Sequence, residues 1–580
     1  MNGNMIQVTI DGQKKQYPRN IRLLEIAKDF EKPDGMGPRI VLAVCDGKLR
    51  ELHKKLRSDC TLQFVTEAEP AGNNAYRRTA CMILYKALYD IEKELMHHHA
   101  GETKKSGTRH TKSGDEEGKD PRFILRFAVP DGYYFSLDGD LEVTVEMVEL
   151  LRKRMQEIVD AGIPVIKRNL PIEEAVEIFS RQGMDDKEKL FRYRRVSRVN
   201  VYSLENYCDY FYGFMVPDTS YIRRFHLRIR DNGIVLALPT AEAPDRIPEI
   251  PGRSQLFQVL KSTDEWGDRI NISTVGELND RISQEGARSI IMMQEAIQEA
   301  KIAQIANDIV NRRTVRFVMI AGPSSSGKTS FSYRLSIQLS ALGLRPRTIA
   351  LDDYFLDREL TPLDEFGEKD YESLGALNIP RFNQDMLDLL AGKKILRPSF
   401  NFITGKSESS GELMELEEGD ILVLEGIHGL NDELSYALPK ESKYKIYVSP
   451  LTQFNIDYHN TIPATDERLI RRIVRDARTR GITARETIAR WPSVRRGEEK
   501  NVIPFEDDAD ALLNSALVYE LGALKVYVEP LLFAIDKDEP AYLEAHRLLK
   551  FLDYFLPVPS DDVPNNSLLR EFIGGSLFRV

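Results

Sequence analysis

The stretch Gly322-Pro323-Ser324-Ser325-Ser326-Gly327-Lys328-Thr329-Ser330 constrains this chain more than any other. It follows directly on the apolar run Arg316-Phe317-Val318-Met319-Ile320-Ala321, and the residues from Ser330 to Leu342 carry helical periodicity up to a natural stop at Gly343. Strand, glycine-rich loop and helix, in that order, are the context in which a G-x-x-x-x-G-K-[ST] sequence cradles phosphate and is more than a turn. The glycines permit a tight loop whose N–H groups converge on phosphate oxygens, and the helix N-terminus adds the positive end of its dipole. Gly322, Ser324, Ser325, Ser326, Gly327, Lys328, Thr329 and Ser330 are therefore the expected phosphate-binding residues. Lys328 would reach the outer phosphates, and the Thr329 hydroxyl could ligate a divalent cation.

Two acidic positions follow at the ends of apolar runs. Thr348-Ile349-Ala350-Leu351 leads into Asp352-Asp353, and Ile421-Leu422-Val423-Leu424 leads into Glu425-Gly426. In a doubly wound parallel sheet the carboxyl ends of the strands surround the ligand crevice. Acids placed there can hold Mg²⁺ and accept a hydroxyl proton. An acid after an apolar run is by itself usually a turn; two of them downstream of such a loop point to function. A third element is Arg471-Arg472-Ile473-Val474-Arg475-Asp476-Ala477-Arg478-Thr479-Arg480-Gly481. Arg472 and Arg475 share a helix face, Arg480 can fold in beside them, and planar guanidinium groups suit the charge of a transferring phosphoryl group. Without the loop, a solvated basic helix face would be the better reading.

The remaining sequence sets the frame. At 580 residues the chain exceeds one core, and 80 basic against 90 acidic residues give a net charge of −10, which argues against a dedicated nucleic-acid binder. Cys45, Cys60, Cys81 and Cys208 are scattered, which fits neither a disulfide framework nor a zinc site and suits a reducing cytoplasm. The start of the chain lacks the apolar core of a signal peptide, and no run approaches a membrane span. We expect a cytoplasmic protein with no membrane partner.

Residues 1–66 predict a small α+β unit, with turns at Asp11-Gly12 and Asp46-Gly47, a short helix from Ile21 to Phe30 and strands at 40–44 and 62–65. A helix is predicted from Arg77 to Leu95. The stretch 97–120 has no large apolar residue and is expected to be a disordered insertion, its His97-His98-His99 run included. Residues 123–239 alternate strands and helices, and 241–312 form a helical connector. Its stripe Ile290, Met293, Ile297, Ala300, continued by Ile302, Ile305 and Ile309, is expected to pack between domains.

Taken together, GPSSSGKTS, IALDDYF, DYESLGALN, RPSFNF, LVLEGIHGL and RRIVRDARTRG resemble the uridine kinase and phosphoribulokinase family over about 315–532. The resemblance implies an α/β domain over 313–580, with a parallel sheet flanked by helices, that transfers phosphate from ATP with Mg²⁺ to the hydroxyl of a small molecule. Position by position it makes Asp352 the catalytic base, with Asp353 as the fallback, and Thr329, Asp352 and Glu425 the Mg²⁺ site. It makes Arg472, Arg475 and Arg480 lid arginines assisting Lys328. For the acceptor it implies Tyr354, Tyr371, Glu372, Phe400 and Phe402, with Glu372 taking paired ribose hydroxyls. Two family positions depart: a base-reading histidine falls on Gly405, and an arginine falls on Ile482. The leading expectation is a nucleoside kinase of uridine kinase type. Alternatives are a kinase of a sugar phosphate or pantothenate-like alcohol, and an RNA-associated ATPase or nucleotide sensor.

The N-terminal half has its own likeness. Residues 1–66 resemble a TGS (β-grasp-like) domain. Residues 67–240 resemble the α+β second additional, editing-type domain of threonyl-tRNA synthetase through DGYYFSLD, MQEIVDAGIPVIKRNLPIEEAVEIF and YGFMVPDTSYIRRFHL. The editing histidine and cysteine positions fall on Arg78, Met82, Phe211 and Met215, none of which has a neutral imidazole's metal or proton chemistry. The resemblance therefore implies the fold without the editing chemistry, and a module for RNA or a regulatory nucleotide. A homo-oligomer is also expected.

Overall fold

The computed structural model describes residues 5–31, 37–102, 122–138, 142–248, 254–365, 367, 369–401, 404–451 and 454–579. They divide into two compact units. The first is Met1–Gly252 with Ile272–Glu277 and Phe454–Ile462; the second is Arg253–Asn271, Leu278–Gln453 and Pro463–Val580.

The first unit opens on a five-stranded mixed sheet. Its order is Gln13–Pro18, Met5–Ile10, Cys60–Thr66, Ile40–Cys45, Lys48–Glu51, and the Leu23–Lys28 helix packs on it. Both Asp-Gly pairs turn the chain with two successive left-handed residues: Asp11 (φ 50°) with Gly12 (φ 78°), and Asp46 (φ 46°) with Gly47 (φ 70°). That geometry matches the twist of the strands it joins. Val8, Ile10, Leu23, Ile26, Ala43 and Leu62 close the core. The long helix Pro70–Glu102 follows. The helix thus continues beyond Leu95, so residues 97–102 of the expected insertion are helical in backbone; residues 103–120 lie outside the described residues. A four-stranded antiparallel sheet (His226–Arg230, Gly233–Ala237, Gly132–Asp138, Arg122–Val129) and a three-stranded one (Tyr207–Asp209, Arg198–Leu204, Ile166–Pro171) complete this unit with the helix Val145–Asp160.

The segment Phe454–Ile462 is part of that unit although it lies far along the chain. Tyr85 donates its hydroxyl to the Tyr458 carbonyl (2.8 Å), Asn455 donates to the Leu125 carbonyl (2.7 Å), and the His459 ring lies 2.7 Å from the Asp209 carboxylate. A contiguous domain over 313–580 is thus interrupted. Long-range side-chain pairing of this sort leaves no periodicity for a sequence to display.

The second unit is built on a five-stranded parallel sheet, in the order Arg345–Ala350, Asp420–Glu425, Phe317–Ala321, Lys443–Ser449, Ala511–Asn514. The central strand alternates between two cores. Val318 and Ile320 face Phe331, Leu335 and Leu339 of the helix Lys328–Ala341, while Phe317 and Met319 face Phe382, Met386 and Leu389 of the helix Ile379–Leu390. Each such side chain, removed from water, stabilises the layer by about 1.5–3 kcal/mol.

The helix Arg288–Asn311 joins the first of these cores through Ile302, Ile305, Ala306 and Ile309. The expectation of a connector stripe packing between domains is corrected accordingly. In its first half the buried face carries Ile290 and Ile291 together with Gln294, Glu295 and Gln298, and Ala300 is exposed. Gln298 donates to the Asn514 carbonyl (2.8 Å) and Glu295 pairs with Arg334 (3.3 Å). Polar side chains bonded to distant partners do not register as an apolar stripe. No helix among the described residues is long and apolar enough to cross a membrane.

Candidate active site

The loop between the central strand and its helix has the backbone its sequence predicts. Gly327 sits at φ 85° and Ser325 at φ 61°, so the chain turns through two left-handed residues before the helix begins at Lys328. Gly322 is required for a different reason: a Cβ there would lie 1.9 Å from the Val448 carbonyl oxygen of the neighbouring strand. The hydroxyls of Ser325 and Ser326 are buried without a hydrogen-bond partner. Unpaired buried donors on an anion-seeking loop are what a phosphate group would satisfy.

Lys328 folds back and donates to the carbonyls of Gly322 (3.0 Å) and Pro323 (3.1 Å). Burial lowers its pKa, opposed by the carboxylates of Glu425, Asp352 and Glu571. Glu425, at the end of its strand, accepts the Thr329 hydroxyl at 3.0 Å. Burial pushes its carboxyl up to about 7, against the pull of Lys328 and with the help of Asp352. Asp352 is raised by burial and by Asp353, and lowered by Lys328, Arg480 and Arg475. Asp353 is raised by burial too, but the groups that act against it are the Phe400 N–H and Arg397. The structure thus separates the doublet: Asp352 shares the field of Lys328, and Asp353 faces another strand. Thr329, Asp352 and Glu425 bring a hydroxyl and two carboxylates together, a donor set that suits Mg²⁺ completed by water and phosphate oxygens.

The helix Ala464–Arg475 passes into a π-helical turn at Asp476–Arg480, ended by Gly481 at φ 63°. Wider turns of this kind recur at functional sites. Here the turn collects the arginines on one buried carboxylate: Asp476 pairs with Arg472 (3.3 Å), Arg475 (3.1 Å) and Arg480 (3.3 Å). Arg472 also donates to the Ser324 hydroxyl at 2.8 Å, which ties the arginine helix to the phosphate loop. Two further residues brace the loop: Glu498 accepts the Ser324 N–H (2.8 Å) and pairs with Arg468, and Glu571 accepts both the Ser330 N–H (3.2 Å) and its hydroxyl (2.9 Å). Asp476, Glu498 and Glu571 were not expected as site residues. Only Asp476 stood inside a recognised motif; the two glutamates carry no local signal.

On the acceptor side, burial drives the Glu372 carboxyl up to about 7 against the Arg472 charge. The helix Ala484–Asn501 passes so close that a Cβ on Gly497 would lie 2.5 Å from the Glu372 Cβ. His428 faces the backbone of Glu372 and Ser373 and is buried, with its pKa pushed down to about 4 and no well-formed hydrogen bond at either nitrogen. A neutral imidazole beside Glu372 can both donate to and accept from a hydroxyl. Tyr371 is 44% exposed. Phe400 packs against Phe355, ring centroids 5.5 Å apart, and Phe402 lies outside the described residues. Tyr354 is placed in the core, its hydroxyl donating to Asp385 at 3.1 Å. Gly405 has φ 70° and a Cβ there would come within 2.9 Å of the Arg358 side chain, so a histidine would be strained and would have to displace Arg358. Ile482 follows Gly481 half-buried, its N–H bonded to the Asp476 carbonyl at 3.2 Å.

Residues 317–519 match the model described as the phosphoribulokinase / uridine kinase family. The chain carries a kinase domain of this family. Over its N-terminal half it is similar to threonine–tRNA ligases. That of Symbiobacterium thermophilum is 24% identical over 230 residues, covering 39% of this chain and 30% of the ligase. That of Thermotoga maritima is 27% identical over 218 residues, covering 37% of this chain and 29% of the ligase. The chain therefore spans about three-tenths of the length of these curated relatives. Among solved structures, one described as a possible uridine kinase from Bacillus stearothermophilus is 18% identical, covering 34% of this chain and 88% of its own, with a TM-score of 0.23. A D-glycerate 3-kinase from Cryptococcus neoformans is 14% identical, covering 36% and 89%, with a TM-score of 0.27.

At the editing-type positions of the first unit, Met82, Phe211 and Met215 are buried, Thr79 lies 3.9 Å from the Met215 sulfur, and Gly213 leaves room for the Arg78 guanidinium. Buried Glu51 accepts the Tyr202 hydroxyl (2.6 Å) and the Met215 N–H (3.1 Å) there. All four cysteines are free thiols.

Proposed function

We propose that the kinase domain transfers the terminal phosphoryl group of ATP to a hydroxyl of a nucleoside, giving the 5′-monophosphate. The observation that carries this reading is Asp352, a carboxylate whose proton affinity is raised by burial at a strand end and which shares the field of Lys328 and the lid arginines. Such a group takes a proton from an alcohol more readily than an exposed aspartate does.

In this reading the Gly322–Ser330 loop binds the donor through its backbone N–H groups. Asp352 accepts the acceptor's hydroxyl proton, the acceptor oxygen bonds to the terminal phosphorus, and the bond to the leaving ADP oxygen breaks. Lys328, Arg472, Arg475 and Arg480 stabilise the charge on the transferring group. Thr329, Asp352 and Glu425 would hold Mg²⁺, which when bound neutralises phosphate charge. Glu372 and His428 orient the acceptor: a carboxylate can take two vicinal hydroxyls, which a ribose offers.

A screen of labelled-ATP transfer over nucleosides, sugar phosphates and pantothenate-like alcohols, with Lys328→Ala as control, tests the proposal. Transfer to no nucleoside by folded protein would exclude the nucleoside, and transfer to another alcohol would replace it.

The N-terminal half, similar to part of tRNA ligases, is read as a module for RNA or a regulatory nucleotide. Salt-dependent RNA binding by the full chain, lost when the N-terminal half is replaced, supports it.

A further inference from the structure

We infer that Glu571 is a built-in competitor for the nucleotide: a carboxylate from the C-terminal segment that holds one of the loop's anion seats until phosphate displaces it. The inference rests on the reading of the loop as a nucleotide site. The helix Lys328–Ala341 presents its first-turn N–H groups without partners inside the helix, and these are the groups an anion seeks. Ser330 stands in that turn, and Glu571 takes both its N–H (3.2 Å) and its hydroxyl (2.9 Å) through one oxygen.

Three observations separate this contact from ordinary capping. Glu571 is buried, yet among the described residues no cation lies within ion-pair distance of its carboxylate. Glu498, on the Ser324 N–H of the same loop, differs in being paired with Arg468 and Arg495. Second, the hydroxyls of Ser325 and Ser326 on the same loop are buried without a hydrogen-bond partner, so Glu571 fills one anion seat at Ser330 beside two donors that stand open. Third, Glu571 comes from a segment outside the family match, which ends at residue 519.

That segment is anchored independently of the carboxylate. Leu568 would touch a Cβ on Gly327 at 3.8 Å, Phe578 stacks on Tyr333 with centroids 5.2 Å apart, and Arg478 of the lid turn donates to the carbonyls of Glu571 (2.7 Å) and Phe572 (3.0 Å). A nucleotide phosphate arriving at Ser330 therefore meets a resident anion that must rotate away, which loosens the short backbone segment that its carbonyl and that of Phe572 tie to Arg478. Occupancy of the donor site is thereby sensed at the turn that carries Arg478 and Arg480.

The test is calorimetric titration of ADP into the full chain, comparing wild type, Glu571→Gln and Glu571→Ala, with thermal melts to establish folding. Removing the competitor is expected to tighten ADP binding about tenfold, as for relief of a charge-assisted hydrogen bond. Hydrogen exchange of wild type, with and without ADP, provides a second readout: amides of residues 569–574 are expected to exchange faster when ADP binds. Folded variants that bind ADP equally well or more weakly than wild type would show that Glu571 belongs to the site, and would overturn the inference. If the variants do not fold, wild-type exchange decides, and slowed or unchanged exchange at 569–574 overturns it. Binding of ADP by neither wild type nor variant would instead remove the nucleotide reading of the loop, and this inference with it.

Discussion

Replacing Glu425 by glutamine separates stability from activity at one atom. Burial raises the Glu425 carboxyl from 4.5 to about 7. A difference of that size corresponds to a ceiling of about 3 kcal/mol between the two protonation states. Because solvent reaches part of this strand-end residue, we discount that to roughly 1–2 kcal/mol. The native state then holds a proton that the unfolded chain has released between pH 4.5 and about 7. Stability of the ligand-free protein therefore falls as pH rises through that window. Glutamine keeps an oxygen for the Thr329 hydroxyl and cannot ionise. Glu425→Gln should accordingly match wild type near pH 4.5 and melt higher at pH 8, by about 2–4 °C for a unit of this size. Phosphoryl transfer should fall at least a hundredfold, because the carboxylate proposed to hold Mg²⁺ is gone. The assay is a set of melting curves over pH 4.5 to 8 without nucleotide, beside transfer rates at saturating ATP. A variant no more stable than wild type at pH 8, with the same pH slope, would refute the claim that burial strains this carboxylate.

Further perturbations address other parts of the site. Asp352→Asn should lower kcat by about 10²–10⁴ while ADP affinity changes little, as for loss of a general base; Asp353→Asn should leave kcat within a few-fold, and the reverse ranking would exchange their roles. Asp476→Asn frees Arg472, Arg475 and Arg480 from their shared partner and should lower kcat more than it raises the KM for ATP, measured by steady-state kinetics. Gly497→Ala drives a methyl group against Glu372 and should raise the acceptor KM without altering ADP binding; an unchanged KM would remove Glu372 from the acceptor pocket. With Glu372 near 7, the acceptor KM should fall as pH rises from 6 to 8, and Glu372→Gln should abolish that dependence.

The shape of the glycine-rich loop was legible because everything that shapes it is contiguous. An apolar strand, two glycines in a loop with left-handed turns and a helix start lie within a few residues of one another, and local backbone preference places Lys328 and Thr329. The Asp-Gly turns of the first sheet were legible for the same reason. Strand-end acids were legible in type, but their register was not: sequence left Asp352 and Asp353 open, and only packing shows which shares the field of Lys328.

Tertiary structure decided what depends on residues far apart in the chain. Glu498 and Glu571 reach the loop from 174 and 241 residues away, and a lone glutamate in a helix has no pattern that announces its partner. His428 became notable only when burial beside Glu372 stripped its ring of water. Gly405 looked like a missing histidine; its positive φ and the Arg358 side chain show a position where a side chain would be strained and would have to displace Arg358. The segment Phe454–Ile462 belongs to the first unit through Tyr85, Leu125 and Asp209, contacts that periodicity cannot encode. The sequence alone thus determined the glycine-rich loop, the parallel sheet and the likeness of both halves, because local backbone preference and alternating burial write these directly into adjacent residues. The braces on that loop and the separation of the aspartates were decided by the fold, because burial and charge act through space and not along the chain.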